Sequence, residues 1–303
     1  MLAEKPLALI RGGGDLGTGV ALRLQRAGWR VLITELSQPL VIRRAVAFAS
    51  AIYDGSIEVE GAIGLRIHPD HIAPEAGVCW AADQIPVVAD PDRTAQAQLH
   101  PIAVIDAIMA KHNTGTHLAD ASIVVALGPG FTAGLDCHAV IETQRGHNLG
   151  RVYYQGAAEL NSGTPGTVGG QDVQRVVRAP VTGIFYAQRK IGDRVKVGEV
   201  IGRVITVDVS LTDSAAGRLA TIDRDASQPL GIVIKTKIDG VLRGVLHDGL
   251  LVQAHTKIAD VDPRGEVSYC FSVSDKSWAV GGGALEAVLY LMQKLSGPAA
   301  HLP

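Results

Sequence analysis

A cysteine, two histidines and a glutamate lie close together near the middle of the chain and could do chemistry. They are Cys137, His138, Glu142 and His147, in a segment that follows an apolar run. A thiolate is a nucleophile and a ligand for soft atoms, and imidazole and carboxylate groups transfer protons. We take these four residues as the candidate catalytic group.

The spacing of this group limits its chemistry. On an extended strand His138 and Glu142 share one face and Cys137 lies on the other, so a Cys137–His138 pair requires a bulge. His138, Glu142 and His147 could bind a metal together, but they lack a tight ligand spacing. A polar network that braces a sheet edge is the alternative, and for Cys137 the alternative is packing in the core. We predict no metal site.

A glycine-rich segment near the N-terminus predicts a phosphate site. Gly12, Gly14 and Gly17 have G-x-G-x-x-G spacing between the apolar run 7–10 and an amphipathic stretch. Such glycines let backbone approach a pyrophosphate at the N-terminus of a helix. A second apolar run ends in Glu35, close to where a ribose-binding acid is expected. The alternative is that the glycines serve only close packing.

Other residues extend this candidate site. Asp15 repels phosphate if it points inward and caps the helix if it points outward. Arg43 contacts a phosphate or lies on a solvated helix face, and Lys111 contacts an anion or ends a helix. Residues 128–134 form a second glycine-rich loop. The candidate nucleotide or cofactor contacts are Gly12, Gly13, Gly14, Asp15, Gly17, Glu35, Arg43, Lys111, Gly128 and Gly130.

Apolar patterning predicts the elements that position these residues. Apolar runs predict buried strands at residues 7–10, 31–34, 85–89 and 122–127, and alternation predicts a hairpin at 57–67. Helices are predicted at residues 20–27, 39–51 and 101–111. Alternating strands and helices predict an α/β fold with a largely parallel, Rossmann-like sheet, whose ligands bind at the carboxyl ends of the strands.

The second half of the chain contains an internal repeat. From residue 178 the sequence recurs without gaps at an offset of 57, so that Gly183 corresponds to Gly240. The repeated strings are similar to the half-motifs of biotinyl and lipoyl domains, which implies a small β barrel-sandwich hybrid of two interlocked halves. The modified lysine of such carriers falls at Pro229 here, so we expect no attached biotin or lipoyl group.

After the repeat, residues 267–273 read as a strand and an apolar helix extends to about residue 295. We therefore predict three parts: a Rossmann-like nucleotide- or cofactor-binding domain at 1–172, the barrel-sandwich hybrid at 173–263, and a C-terminal strand and helix at 264–303.

Composition narrows the class of protein. The 303 residues are 47% hydrophobic with a formal net charge of -2, which predicts at least two domains with a large core. Dispersed basic residues argue against a nucleic-acid partner, and membrane-length runs and signal-peptide patterns are absent. Three widely spaced cysteines do not make a disulfide framework. We expect a cytoplasmic protein; assembly into a homo-oligomer stays open.

Much of the chain carries a family resemblance. The strings at residues 10–19, 34–36, 42–44, 127–134, 138–143, 145–151 and 258–264 resemble the YqeB-like accessory family of selenium-dependent molybdenum hydroxylases. The resemblance implies a maturation factor with a role similar to that of the XdhC-type factors, which prepare molybdenum cofactor. It implies a molybdenum hydroxylase apoenzyme or its assembly factors as partner, and it makes sulfur, selenium or molybdenum handling by Cys137 attractive. It assigns no established catalyst.

Three functions are compatible with these features. The first is a maturation protein that binds a nucleotide, or the pterin part of molybdenum cofactor, in the glycine-loop cleft. The second is an NAD(P)-dependent oxidoreductase, supported by the glycine spacing and Glu35 but without an obvious acid and orienting pair. The third is a non-catalytic interaction scaffold, in which the barrel docks a partner enzyme.

Overall fold

A computed structural model describes residues 5–160, 170, 173–206 and 231–296. The chain divides into two compact units, residues 1–166 with 271–303, and residues 167–270. Of the segment 264–303, which we expected as a third part, residues 271–303 belong to the first unit and residues 264–270 to the second. Pro229, the position of a carrier lysine, lies outside the described residues.

The first unit contains most of the helices and one large sheet. Its elements are β1 (Leu7–Arg11), α1 (Asp15–Arg26), β2 (Arg30–Glu35), α2 (Ala51–Asp54), β3 (Ser56–Val59), β4 (Ala62–Arg66), α3 (Ile72–Ala81), β5 (Ile85–Ala89), α4 (Thr94–Leu99), β6 (Ala103–Asp106), β7 (Ile123–Leu127), β8 (Thr132–Ala133), β9 (Ala139–Ile141), β10 (Val152–Tyr153), β11 (Gly156–Ala157) and, after the second unit, α5 (Asp275–Ser296). No described helix is both long enough and apolar enough to span a membrane.

Nine strands form the large sheet, in the order β10-β9-β7-β6-β1-β2-β5-β4-β3. The seven strands from β9 to β4 are parallel, and an antiparallel strand is added at each edge. Ala8 and Ile10 of β1 lie in the core cluster that contains residues of α1 and α5, whereas Leu7 and Leu9 pack with residues of α3 and α4. Residues of β1 thus alternate between two buried faces.

Strands of the second unit form two four-stranded antiparallel sheets. Their elements are β12 (Val176–Arg178), β13 (Gly183–Ala187), β14 (Arg194–Val195), β15 (Val200–Ile205), β16 (Ile232–Lys235), β17 (Gly240–Val245), β18 (Leu250–Val252) and β19 (Lys257–Asp262). The sheet orders are β12-β19-β17-β14 and β16-β15-β13-β18. At the repeat offset of 57 residues, β12, β13, β14 and β15 correspond to β16, β17, β18 and β19. Exchanging corresponding strands converts one sheet order into the other. Each sheet therefore takes two strands from each half of the repeat.

The strand pairing corrects the predicted fold class. The large sheet is mixed, with seven parallel strands and an antiparallel strand at each edge, instead of the Rossmann-like sheet that we predicted. In place of the predicted biotinyl/lipoyl-like barrel, the second unit has two separate antiparallel sheets. In the first unit, β8 and β11 make a further small sheet.

Three predicted elements also differ. The helix predicted at 39–51 is replaced by short 3₁₀ turns and α2, since residues 46–52 are buried throughout and leave no polar face. The helix predicted at 101–111 is β6, whose apolar residues are buried between β1 and β7. The strand predicted at 267–273 contains the 3₁₀ turn Val267–Cys270.

The repeat predicts matched stability effects in the second unit. A Cβ at Gly183 would overlap the carbonyl oxygen of Ile205, and a Cβ at Gly240 would overlap that of Asp262, one repeat later. We expect Gly183→Ala and Gly240→Ala each to destabilise this unit by roughly 1–3 kcal/mol. Hydrogen exchange of amides in β13 and β17 measures both effects, and a neutral result for either variant contradicts the shared steric cause.

Candidate functional site

The candidate site lies at the carboxyl ends of β1, β2 and β6. The chain leaves β1 through α1 to reach β2 on one side, and it later returns to place β6 on the other side. A crevice outside the strand ends is expected where the strand order reverses in this way. We call the space bounded by these strand ends and residues 12–14 the switch-point crevice.

Three of the loop glycines have packing roles. Gly12 has a φ of 96°, and a Cβ there would lie 2.9 Å from the carbonyl oxygen of Ala107. A Cβ at Gly13 would lie 2.9 Å from the backbone nitrogen of Ala49, and one at Gly17 would overlap the carbonyl oxygen of Gly12. These contacts support the close-packing alternative for Gly12, Gly13 and Gly17.

Gly14 differs from the other loop glycines because a Cβ there meets no atom within 4 Å. It is the N-cap of α1, and no side chain caps this helix end. Thr18 steadies the turn, since its hydroxyl donates to the carbonyl of Gly13 and accepts from the backbone N–H of Phe48. Open space therefore lies against Gly14, at the end of α1 where the helix dipole is positive.

Glu35 contacts the glycine loop directly. Its carboxylate accepts from the backbone N–H of Gly13 at 2.7 Å and from that of Leu36 at 3.0 Å. Burial raises the pKa of Glu35, although both backbone hydrogen bonds oppose the rise. The predicted ribose-binding acid thus lies at the end of β2 beside the loop.

Asp15 and Arg43 form an ion pair at the first turn of α1. Oδ2 of Asp15 lies 3.5 Å from Nη1 of Arg43, whose Nη2 donates to the carbonyl of Ser272 at 3.1 Å. The carboxylate of Asp15 thus has a cationic partner beside the helix end, while its backbone carbonyl accepts from the hydroxyl of Ser277. Arg43 lies beside the crevice, and its position is fixed by Asp15 and Ser272.

The second glycine loop packs against the loop that follows β6. Gly130 has a φ of 104°, and a Cβ there would lie 2.7 Å from the backbone of His112. Gly128 has a φ of 77° and would place a Cβ 2.6 Å from the hydroxyl of Thr143. Lys111 is exposed with a φ of 68°. These contacts give Gly128 and Gly130 a role in loop packing.

A buried charged cluster at the strand ends was not predicted. Arg11, the last residue of β1, lies 3.3 Å through Nη1 from Oδ2 of Asp106, the last residue of β6. The same nitrogen donates to the hydroxyl of Thr116, which donates to Asp106 at 2.6 Å. Burial lowers the pKa of Arg11, and the charge of Asp106 opposes this. Like Glu35, Asp106 is an acidic residue at the end of an apolar run. This was the sequence signal that could have identified the cluster.

The four candidate catalytic residues do not form a common site. Cys137 is fully buried in an apolar cluster, and burial, with a smaller effect of Asp136, raises the pKa of its thiol to about 12. Because a thiol with this pKa is protonated near neutral pH, the expected thiolate chemistry has no support.

His138, Glu142 and His147 have separate environments. Nδ1 of His138 accepts from the backbone N–H of Val124 at 3.0 Å, and burial lowers the pKa of this imidazole. Both carboxylate oxygens of Glu142 accept backbone N–H groups, and His147 is exposed. Across the described ranges no three His, Cys, Asp or Glu side chains are placed to hold a metal ion. His138 and Glu142 brace the backbone here.

Comparison with solved structures gives weak likenesses. An aspartoacylase family protein from Mesorhizobium loti MAFF303099 is 14% identical over 85% of each chain, with a TM-score of 0.25. The product-bound ectoine utilization protein EutE (DoeB) from Ruegeria pomeroyi is 12% identical over 85% of each chain, with a TM-score of 0.25. A succinylglutamate desuccinylase/aspartoacylase from Rhodobacter sphaeroides is 21% identical over 30% of this chain and 22% of its own, with a TM-score of 0.22.

The names of these solved structures differ from the expected function. They are names of deacylases and of an ectoine-utilization protein, not of maturation factors for selenium-dependent molybdenum hydroxylases or of dinucleotide-binding or carrier domains. We do not propose the maturation role that the family resemblance implied. At TM-scores of 0.22–0.25 the likenesses do not carry a deacylase activity to this chain either.

A relative in sequence gives a firmer result. No protein-family model matches the chain. Over 288 residues, 95% of the chain, it is 44% identical to the uncharacterized protein YqeB of Escherichia coli (strain K12). The matched region covers 48% of the length of YqeB. The chain is thus a homologue of YqeB that spans about half of that protein's length.

Proposed function

We propose that the first unit binds a nucleotide whose phosphates contact the N-terminus of α1 in the switch-point crevice. The observation that carries the proposal is the open space at Gly14, in a loop where a Cβ at Gly12, Gly13 or Gly17 would meet backbone. Unpaired N–H groups and the helix dipole favour an anion at this point.

The surroundings of Glu35 favour a nucleoside over a bare anion. A carboxylate can accept more hydrogen bonds than the two it receives from backbone, so ribose hydroxyls have acceptors available. Leu36 and Leu40 follow it in sequence and are 58% and 52% exposed, which offers apolar surface for a base. The charge of Glu35 would repel a ribose 2′-phosphate, so we expect NAD to bind more tightly than NADP.

Calorimetric titration with NAD, NADP, ADP and ATP tests the proposal. We expect Gly14→Val to weaken NAD binding about hundredfold, roughly 2.7 kcal/mol, because its side chain fills the phosphate position. The fold should persist, since a Cβ at Gly14 meets no protein atom within 4 Å.

Gly77→Val on α3 is the matched control, because Gly77 is exposed and, like Gly14, has nothing within 4 Å of a Cβ. It should bind NAD like the unmodified chain. The proposal fails if the unmodified chain binds none of the nucleotides, or if Gly14→Val binds them equally well.

A further inference from the structure

Arg11 has more hydrogen-bonding capacity than its protein partners use. It is 9% exposed, and its guanidinium donates only through Nη1, to Asp106 and Thr116. In the part of the chain that the structure describes, no hydrogen bond is made by its Nε or Nη2. A buried guanidinium with unused donors is costly unless another acceptor satisfies them.

The unused donors have a defined geometry. Nε–H and Nη2–H lie side by side on one edge of the planar guanidinium, and this fork matches the two oxygens of a carboxylate. Asp106 does not supply that second pair: its Oδ2 faces Nη1, and its Oδ1 accepts from the backbone N–H of Ile108 at 3.1 Å. The position thus suits a bidentate carboxylate from outside the protein.

The neighbouring charged residues Arg93 and Asp120 do not accept hydrogen bonds from Nε or Nη2 of Arg11. Arg93 and Asp120 are close enough to influence the pKa of Arg11, one lowering it and one raising it. They pair with each other, with Nη2 of Arg93 2.5 Å from Oδ2 of Asp120. Arg93 also donates to Gln96 and to the carbonyl of Gly115. Asp120 is therefore already engaged.

This position is distinct from the phosphate position. Arg11 has the same parity along β1 as Leu7 and Leu9, which pack on the face of α3 and α4. The residues of α1 pack with Ala8 and Ile10 on the opposite face. A group bound by the Arg11 fork therefore lies on the other side of β1 from the N-terminus of α1.

We propose that Arg11 binds the carboxylate of a second ligand, a small organic acid held in the switch-point crevice beside the nucleotide. Only the presence of a nucleotide beside the acid rests on the proposed function. The carboxylate site itself can be tested with or without NAD. In this proposal the ends of β1 and β2 both bind ligands. Glu35 at the end of β2 binds the nucleotide together with Gly14, and Arg11 at the end of β1 binds the acid.

Calorimetry and thermal-shift assays with a panel of short mono- and dicarboxylic acids and inorganic phosphate test this inference, each with and without NAD. We expect at least one acid to bind, and Arg11→Lys to weaken its binding about tenfold to hundredfold, because lysine keeps the charge but lacks the fork. NAD affinity should be unchanged in this variant. Arg26→Lys on the exposed side of α1 is the control and should bind the acid normally.

The outcomes separate the two proposals. Acid binding that depends on Arg11 in a protein that binds none of NAD, NADP, ADP and ATP overturns the proposed function and leaves the carboxylate site standing. If no acid binds, if phosphate alone binds, or if Arg11→Lys binds the acid equally well, the carboxylate site is wrong. Should Arg11→Lys not fold, the double variant Arg11→Met with Asp106→Asn removes both charges together and must show the same loss of acid binding.

Discussion

We expect Asp106→Ala to lower the free energy of unfolding of the first unit by about 3–5 kcal/mol, because it leaves the buried Arg11 without its ionic partner. Asp106 is 1% exposed and accepts from Arg11, from the Thr116 hydroxyl and from the backbone of Ile108. Alanine removes all of these acceptors at once, and water cannot readily replace them at a buried position.

Tryptophan fluorescence during urea unfolding measures this effect selectively. The chain has three tryptophans, Trp29, Trp80 and Trp278, and all lie in the first unit. Asp92→Ala, at an exposed position in the same unit, is the control and should change stability by less than about 0.5 kcal/mol. Combining Asp106→Ala with Arg11→Met should recover most of the loss. A loss below about 1 kcal/mol for Asp106→Ala would show that the pair behaves like a surface ion pair.

The glycine-loop half of the crevice could be predicted because its signals are local. The apolar run before the loop, the glycine spacing and Glu35 all fall within residues 7–35, and the structure has β1, α1 and β2 there. The internal repeat was equally readable, since Gly183 and Gly240 occupy corresponding strand starts with the same steric surroundings.

The Arg11 half of the crevice was missed because its partners are distant in sequence. Asp106 lies 95 positions from Arg11, and reading residues 101–111 as a helix hid the strand end that carries it. A short apolar run does not distinguish a buried strand from a buried helix by periodicity alone. Here residues 103–106 form a strand because they pair with β1 and β7. Such pairing depends on the tertiary structure and cannot be read from the local sequence.

Burial likewise sets the environments of the candidate catalytic residues. The types of Cys137, His138 and Glu142 suggested chemistry, but their proton affinities and hydrogen-bond partners depend on the packing around them. The sheet surrounds Cys137 with apolar side chains and gives His138 and Glu142 backbone N–H partners. Residue type alone could not distinguish this arrangement from an active site.

A second large stability effect is expected at Gly17, where helix propensity and packing oppose each other. In a helix interior alanine is favoured over glycine by about 1 kcal/mol. A Cβ at Gly17 would, however, overlap the carbonyl oxygen of Gly12 and lie 3.3 Å from the Cβ of Ala107. Since backbone cannot move aside as a flexible side chain can, we expect Gly17→Ala to destabilise the first unit by roughly 1–3 kcal/mol.

Gly77→Ala is the matched control for Gly17→Ala, because the two variants are expected to change the stability of the first unit in opposite directions. Gly77 lies within α3, is exposed, and has no atom within 4 Å of a Cβ, so alanine there should stabilise the first unit by about 0.4–1 kcal/mol. Tryptophan fluorescence should therefore show opposite shifts of the urea midpoint for two Gly→Ala changes in helices of one unit. If Gly17→Ala also stabilises, the loop does not approach α1 as closely as described, and the glycine at this position is not required by packing.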